Sequence, residues 1–221
     1  GGVVEGLGFE HGEPLSLTQN ELDLIELAKE ASDKVIILLQ SSVSVEIGTL
    51  KNDPEVDAIL WCGVPGNYGF LGVADILSGK VSPSGGLFDI FTAYNMSAPA
   101  MQNFGRLYYA NSDEVTRSGG VLGFTPGAYA IEAEGIYVGY RYYETRYYDA
   151  VAGVHNATSA TGAYATTDAW SYDDEVTYGF GFGLSYTTFE GKDCAVDAEN
   201  GWVTATVANT GKVDGETVVQ V

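Results

Sequence analysis

The stretch "TQNELDLIELAKEASDKVIILLQ", residues 18–40, decides the fold class, because its pattern changes period midway. In the first half Thr18 and Glu21 have capping-box spacing, and Leu22 and Ile25, with Leu24, Leu27 and Ala28, recur at helical intervals. In the second half "KVIILLQ", residues 34–40, is a continuous apolar run rich in β-branched side chains, the pattern of a strand covered on both faces of a parallel sheet. The rhythm repeats downstream. A short helical turn through "VEIGTL" precedes a second apolar strand, "VDAILWCG", residues 56–63. The glycine-rich turn "GVPGNYG" then opens an amphipathic helix over "FLGVADILSG", residues 70–79, closed by Gly79. Strand, helix, strand and helix in this order predict an α/β layer with right-handed crossovers, and "PSGGLFDIF" predicts a turn into another strand.

Composition narrows the partners. Thirty acidic residues against ten basic ones give a net charge of -20, which repels phosphate backbones and anionic headgroups at long range. Neither nucleic acid nor a membrane surface is an expected partner, and no apolar run approaches the roughly 18 residues of a membrane span. Cys62 and Cys194 lack metal-ligand spacing, and His11 and His155 stand far apart, so no metal and no cofactor is expected. "GVPGNYG" lacks the Lys and Ser/Thr that a phosphate-cradling loop requires. The chain starts at Gly1 and stops within an alternating run, "ETVVQV", which reads as a fragment of a longer polypeptide.

Beyond the α/β rhythm the pattern weakens. Loop insertions are expected near residues 103–134 and 150–174, both rich in Gly, Ala, Ser, Thr and Tyr. Between them lies "EGIYVGYRYYETR", residues 134–146. Its imperfect alternation predicts an amphipathic strand at a domain junction, with Ile136, Val138 and Tyr140 inward and Tyr137, Gly139 and Arg141 outward, packing rather than stacking on a sugar. "GWVTATVANTG" and "GETVVQV" predict two strands of an all-β module. Asn95 and Asn156 head N-x-Ser/Thr sequons.

Four segments together resemble the C-terminal region of glycoside hydrolase family 3, the β-glucosidase and β-xylosidase family. They are "ILWCGVPGNYGFLGVADILSGKVSPSGGL" (59–87), "EGIYVGYRYYETR" (134–146), "VTYGFGFGLSYTTFE" (176–190) and "VANTGKVDGETVVQV" (207–221). They resemble, in order, the family's W-x-G-x-P-G turn with N-P-S-G-R-L, its tyrosine-rich segment, its Y-P-F-G-Y-G-L-S-Y-T-x-F run and the start of its fibronectin type III-like module. Gly86 stands where the family usually has Arg, and Gly179 where it usually has Pro. The resemblance implies a layered α/β sandwich with a mostly parallel sheet over residues 1–190, then a truncated fibronectin type III-like segment over 191–221.

It also implies a retaining glycosidase acting on a β-linked glucoside, xyloside or short oligosaccharide. Such an enzyme needs a nucleophilic carboxylate and a protonated carboxyl about 5 to 5.5 Å apart. In the family the nucleophile is an Asp on a preceding N-terminal barrel, so this chain would hold the acid/base alone and be inactive by itself. "VVEGLGFEHGEPLSLTQNE" places Glu5 in the family's E-G-x-D-like acid/base context, with Gly8 replacing the Asp and with Glu10 and Glu13 as the other carboxylates in reach. The competing reading is a noncatalytic carbohydrate-binding or scaffolding domain, for which the departures at Gly8, Gly86 and Gly179 speak.

Overall fold

The fold is taken from a computed structural model, which describes residues 15–103, 107–112, 127–153 and 170–219. The helix predicted at Thr18 is α1 (Gln19–Ala31). Thr18 closes a capping box. Its amide donates to Glu21 Oε2 at 2.7 Å, and Glu21 N donates back to Thr18 Oγ1 at 3.4 Å. This satisfies two of the amide donors that a helix start leaves open. Only Ile25 of its apolar stripe is buried, while Leu24 and Leu27 are 65% and 60% exposed.

The two apolar runs form β1 (Ile36–Leu39) and β2 (Ala58–Trp61), paired in parallel with Ile36 opposite Ala58 and Leu39 opposite Trp61. The expectation that β1 is covered on both faces is not met. Leu39 is buried, but Ile36 and Leu38 are 49% and 42% exposed. Alternation puts successive side chains on opposite faces, and among the described residues the core covers only one of them. At the amino end of the pair Lys34 bridges to Asp57, whose other oxygen accepts from Val35 N at 2.9 Å. The Lys34 ammonium and that N–H hold the Asp57 carboxyl below the usual carboxylate range. Lys29, with Asp53 and Glu26, makes a second cluster beside α1. These partners raise the Lys29 ammonium, and Lys29, with the Glu55 N–H, lowers the Asp53 carboxyl.

The helical turn predicted at "VEIGTL" is α2 (Gly48–Lys51). The next helix, α3 (Gly66–Leu77), begins four residues before the predicted start at Phe70. The helix follows Pro65 directly, with Gly69 N donating to Pro65 O at 3.0 Å. A Cβ on Gly69 would lie 2.7 Å from Pro65 Cβ, so glycine there is what permits the early start. Gly79 ends the helix with φ +75°, as its position suggested.

The central connection is an antiparallel ladder of β3 (Phe91–Thr92) with a later strand, β6 (Val176–Tyr178). Ile90 and Phe91 fall in different apolar clusters, as neighbours on extended backbone must. Phe91 joins Ile25, Leu39, Ile47 and Leu50 under the parallel pair. Ile90 joins Tyr143 and Val176 on the other side. After β3 come a 3-10 turn (Asn95–Ser97), α4 (Pro99–Gln102) and a short antiparallel pair, β4 (Leu107–Tyr108) with β5 (Ala128–Tyr129). Much of both expected loop insertions lies outside the described residues.

The tyrosine-rich segment overturns its strand reading. Residues 134–139 form a turn and Tyr140 begins α5 (Tyr140–Ala152). Ile136 and Val138, expected to point inward, are 78% and 52% exposed. Gly135 and Gly139 adopt φ +54° and +65°, a left-handed backbone that breaks a strand and is open to glycine at little cost. The buried side chains of the helix are Tyr143, Arg146 and Asp149, at i, i+3 and i+6. Beyond it, α6 (Tyr172–Glu175) leads into β6.

The chain then enters an antiparallel ribbon of β7 (Phe189–Asp197) and β8 (Trp202–Asn209). "GWVTATVANTG" is a strand as predicted. Its partner, however, is the segment before it, and residues 215–219 carry no strand. The downstream strand that the alternation suggested is thus replaced by a hairpin turned at Gly201, whose φ is +68°. The described residues form four two-stranded sheets with interspersed helices, a mixed α and β fold with small sheets.

Candidate active site

Parallel α/β layers bind ligands outside the carboxyl ends of their strands, where successive loops converge. In this chain that edge is built from the segments after β1 and β2. Cys62 N donates to Leu39 O at 3.1 Å, extending the ladder by one rung. Trp61 Nε1 donates to Ser41 O at 2.8 Å, and Ser41 Oγ to Val43 O at 2.7 Å. Trp61 is wedged against Phe88 and Phe91, with ring centroids 5.2 and 5.4 Å away. Trp61 and Cys62 are both half-buried, and Trp61 packs against the first apolar cluster.

The same edge receives the N-terminal segment. Ser16 forms a parallel bridge with Glu46, and Glu46 N donates to Leu15 O at 2.8 Å. Leu17 packs against the first cluster, and Thr18 caps α1. The Glu46 carboxylate reaches the other way, its Oε1 accepting from Asn95 N at 2.7 Å. Asn95 is itself fixed, because Thr92 Oγ1 donates to its Oδ1 at 2.7 Å inside the fold. Asn95 is only 6% exposed, so this sequon lies against the core. Asn95 Nδ2 and Thr177 Oγ1 are buried without a hydrogen-bond partner, the sort of polar atoms an ordered water satisfies.

Glu5, the expected acid/base, and its alternatives Glu10 and Glu13 lie outside the described residues, as do Gly8, His11 and His155. The described residues begin at Leu15 and Ser16, against Glu46. Among the described residues no group of three His, Cys, Asp or Glu is placed to hold a metal ion, and no helix is long and apolar enough to cross a membrane.

A second polar centre surrounds the start of α5. Glu134 is 8% exposed and accepts from Ala100 N at 3.2 Å and Gly139 N at 3.3 Å, so one carboxylate serves the amino ends of two helices. Asp89 Oδ1 accepts from Tyr140 N at 3.1 Å. Inside, the Tyr143 hydroxyl pairs with Ser97 Oγ at 2.7 Å, and burial pushes the Tyr143 phenol well above its ordinary range. Arg146 Nη1 donates to Tyr142 Oη at 2.7 Å while its guanidinium lies over Trp170, 4.3 Å from the ring centroid. These groups hold elements together. Neither Glu46 nor Glu134 was singled out from sequence, although Glu46 is an isolated carboxylate in a run of apolar and small residues and Glu134 stands immediately before a glycine.

Two of the three departures from the family pattern, Gly86 and Gly179, lie against close neighbours. "SGGL" and "GFGFGL" lie back to back: Leu87 N donates to Phe182 O at 2.8 Å and Gly181 N to Leu87 O at 2.7 Å. A Cβ on Gly86 would stand 2.9 Å from Gly181 O. At Gly179 a Cβ would come within 2.7 Å of the Tyr172 hydroxyl, which donates to Glu144 Oε1 at 2.5 Å. Burial, and then this bond to Glu144, push the Tyr172 phenol above its ordinary range.

The glycosyl hydrolase family 3 C-terminal domain profile matches residues 5–186. Beta-glucosidase A of Butyrivibrio fibrisolvens is 30% identical over 229 residues, covering 96% of this chain and 22% of that protein. An exo-alpha-(1->6)-L-arabinopyranosidase of Bifidobacterium longum is 28% identical over 99% of this chain and 23% of its own length. Among solved structures, the GH3 beta-glucosidase of Bifidobacterium adolescentis superposes with a TM-score of 0.61 at 28% identity, over 92% of this chain and 24% of that one. Beta-glucosidase 3B of Thermotoga neapolitana, solved with alpha-D-glucose, gives 0.57 at 29% identity, over 89% and 22%. The chain thus spans less than a quarter of the length of these relatives. With a match running from residue 5 to residue 186, the chain belongs to glycosyl hydrolase family 3 through its C-terminal domain.

Proposed function

We propose that this chain is part of a retaining β-glycosidase of the β-glucosidase type, acting on a β-linked glucoside, xyloside or short oligosaccharide. In this reading residues 1–190 are an α/β-sandwich domain and residues 191–221 the start of a fibronectin type III-like module. A barrel domain elsewhere in the parent chain supplies the nucleophile. The observation that carries the proposal is the family match over residues 5–186, joined to beta-glucosidases at about the same identity along nearly the whole chain.

The chemistry follows from the two-carboxyl requirement. A barrel carboxylate attacks the anomeric carbon, the glycosidic C–O bond breaks, and the electron pair leaves with the departing oxygen. Glu5 gives that oxygen its proton. The resulting carboxylate then takes a proton from the water that cleaves the glycosyl-enzyme ester. A glutamate performs both steps only if its pKa is raised toward neutrality, by burial or by a nearby negative charge such as the nucleophile itself. In this reading the barrel domain supplies both the covering surface and the second carboxylate.

The test is an assay of aryl β-glucosides with the 221-residue chain alone, with the barrel domain added, and with full-length parent carrying Glu5→Gln. The chain alone is expected to be silent and the parent active. The Gln variant should lose activity on substrates with poor leaving groups. Turnover by the chain alone would contradict the missing-nucleophile argument, and a fully active Glu5→Gln parent would move the acid/base elsewhere. A parent that binds sugars without cleaving them would favour the noncatalytic reading, for which Gly8, Gly86 and Gly179 speak.

A further inference from the structure

We propose that Asn200–Gly201, in the turn of the β7–β8 ribbon, is a site of spontaneous deamidation, and that the Asp197 carboxylate restrains the reaction while the ribbon is closed. The inference is independent of the functional reading above, since every group it uses lies in that ribbon. Residues 198–201 form the turn between Asp197 and Trp202, which face each other as the last pair of the ladder. Asn200 and Gly201 are both exposed there. Gly201 carries no side chain to keep its backbone nitrogen away from the Asn200 side chain. When that nitrogen attacks Asn200 Cγ, the new N–C bond closes a succinimide ring and the Gly201 nitrogen loses its proton. The Cγ–Nδ2 bond breaks and ammonia leaves. Water then opens the ring at either carbonyl to give aspartate or isoaspartate, one water being consumed for each ammonia released.

The folded turn opposes this reaction. Asp197 Oδ1 accepts from Glu199 N and Asn200 N, each at 3.1 Å, and Asp197 Oδ2 accepts from Asn200 Nδ2 at 2.7 Å. A single carboxylate thus fixes both the backbone and the side-chain amide of Asn200. Ring closure requires the side-chain amide to turn toward Gly201 N and Nδ2 to depart, and both movements break the charge-assisted bond to Oδ2. The Asn200 side chain, followed by the backbone N–H groups of Asn200 and Glu199, holds the Asp197 carboxyl below the usual carboxylate range, so the acceptor is charged at neutral pH. The product cannot restore the restraint. An aspartate side chain at this position offers Asp197 Oδ2 an oxygen in place of an N–H donor, beside the carboxylates of Asp197 and Glu199. Isoaspartate inserts the side-chain methylene into the backbone, which the turn between Asp197 and Trp202 does not accommodate at the present register. Deamidation therefore loosens the turn in which it occurs.

The experiment incubates the full-length parent at mildly alkaline pH, native and in denaturing urea, and follows the tryptic peptide 193–212 by mass spectrometry, with fragmentation to place the mass gain. The same peptide contains Asn209, which precedes the branched Thr210 and donates from Nδ2 to Val213 O at 2.9 Å, so it serves as an internal control. In urea Asn200 should convert faster than Asn209, and at least about 10-fold faster than in the native parent. Asp197→Asn keeps an oxygen for the two backbone amides but has no second one to accept from Asn200 Nδ2. It should speed native conversion at Asn200 by about 3- to 10-fold and leave Asn209 unchanged. Absence of conversion at Asn200 in urea would overturn the site. Equal native and denatured rates, an unchanged native rate in Asp197→Asn, or a rise at Asn209 in step with Asn200, which would mark a general loosening of the ribbon, would each overturn the restraint assigned to Asp197.

Discussion

Replacing Gly86 by alanine tests whether the close packing of the two glycine-rich turns is why this chain lacks the family's usual arginine there. The new Cβ would stand 2.9 Å from Gly181 O and 3.5 Å from Gly181 C, and the obstructing atoms are backbone. That backbone has little freedom to retreat, because Gly181 N and Phe182 O are both hydrogen-bonded to Leu87. Overpacking of this kind costs about 2 kcal/mol, and removing a glycine from the unfolded chain returns about 0.7 kcal/mol, leaving a net loss of about 1.3 kcal/mol. With a urea slope of about 2.5 kcal/mol per molar, the midpoint should fall by about 0.5 M. The neighbouring residue supplies the control, since a Cβ on Gly85 meets nothing within 4 Å. Gly85→Ala should leave the midpoint unchanged or raise it by up to about 0.4 M. Trp61 fluorescence is a suitable reporter, since Leu87 and Trp61 pack against the same cluster. Equal midpoints for the two variants would refute the steric account of Gly86.

Two further expectations follow from the buried polar groups and the ion pairs. Tyr143→Phe strands the Ser97 hydroxyl, which is 2% exposed, and should cost about 1–3 kcal/mol, whereas adding Ser97→Ala should recover part of that loss; a double-mutant cycle with no coupling would refute the pairing. Asp57 is held below its ordinary range by Lys34 and Val35 N, so its contribution to stability is present above the unfolded carboxylate range and lost as pH falls through the lower folded value. Asp57→Asn should therefore lower stability at neutral and alkaline pH, where the contribution is fully present, and flatten the acid side of a plot of stability against pH, which urea midpoints measured across pH will check.

What was legible in the sequence was whatever a short stretch decides by itself. The α1 capping box needs only Thr18 and Glu21, and the structure has both halves of it. The β1 and β2 runs are apolar enough to pair wherever they meet. The tyrosine-rich segment was illegible because its alternation of apolar and polar residues is broken by Gly135 and Gly139, and their left-handed backbone converts it to a turn that feeds a helix. The buried residues of that helix, Tyr143, Arg146 and Asp149, include two charged ones, so a search for an apolar stripe passes over it. The hairpin partner of β8 was missed for a similar reason. "FEGKDCAVD" contains Gly191, two charges in succession and Asp193 at φ 55°, a bulge that hides the strand period. The candidate site was legible only through family resemblance, since nothing about the spacing around Glu5 distinguishes it from Glu10 or Glu13.

The exposed apolar surface connects these observations. Ile36 and Leu38 on β1, Leu24 and Leu27 on α1, and Tyr68 and Leu71 on α3 are all more than 40% exposed, although parallel strands and their crossover helices are normally covered on both sides. The β7–β8 ribbon is similar. Val196 and Val203 face each other across it at 72% and 46% exposure, and an isolated two-stranded ribbon is marginal in water. Relatives more than four times longer than this chain, at 22% coverage, have ample further surface with which to close such faces. The acid/base chemistry proposed here has the same dependence. A glutamate is kept protonated near neutral pH by exclusion from water or by a nearby negative charge, and an associating domain can supply either. If so, the step that buries the open apolar faces is also the step that makes the proton donor competent. Domain association should then raise the acid/base pKa and the stability of the parallel pair together, which makes the barrel's contribution measurable as protection from hydrogen exchange in β1 and β2 as well as in turnover.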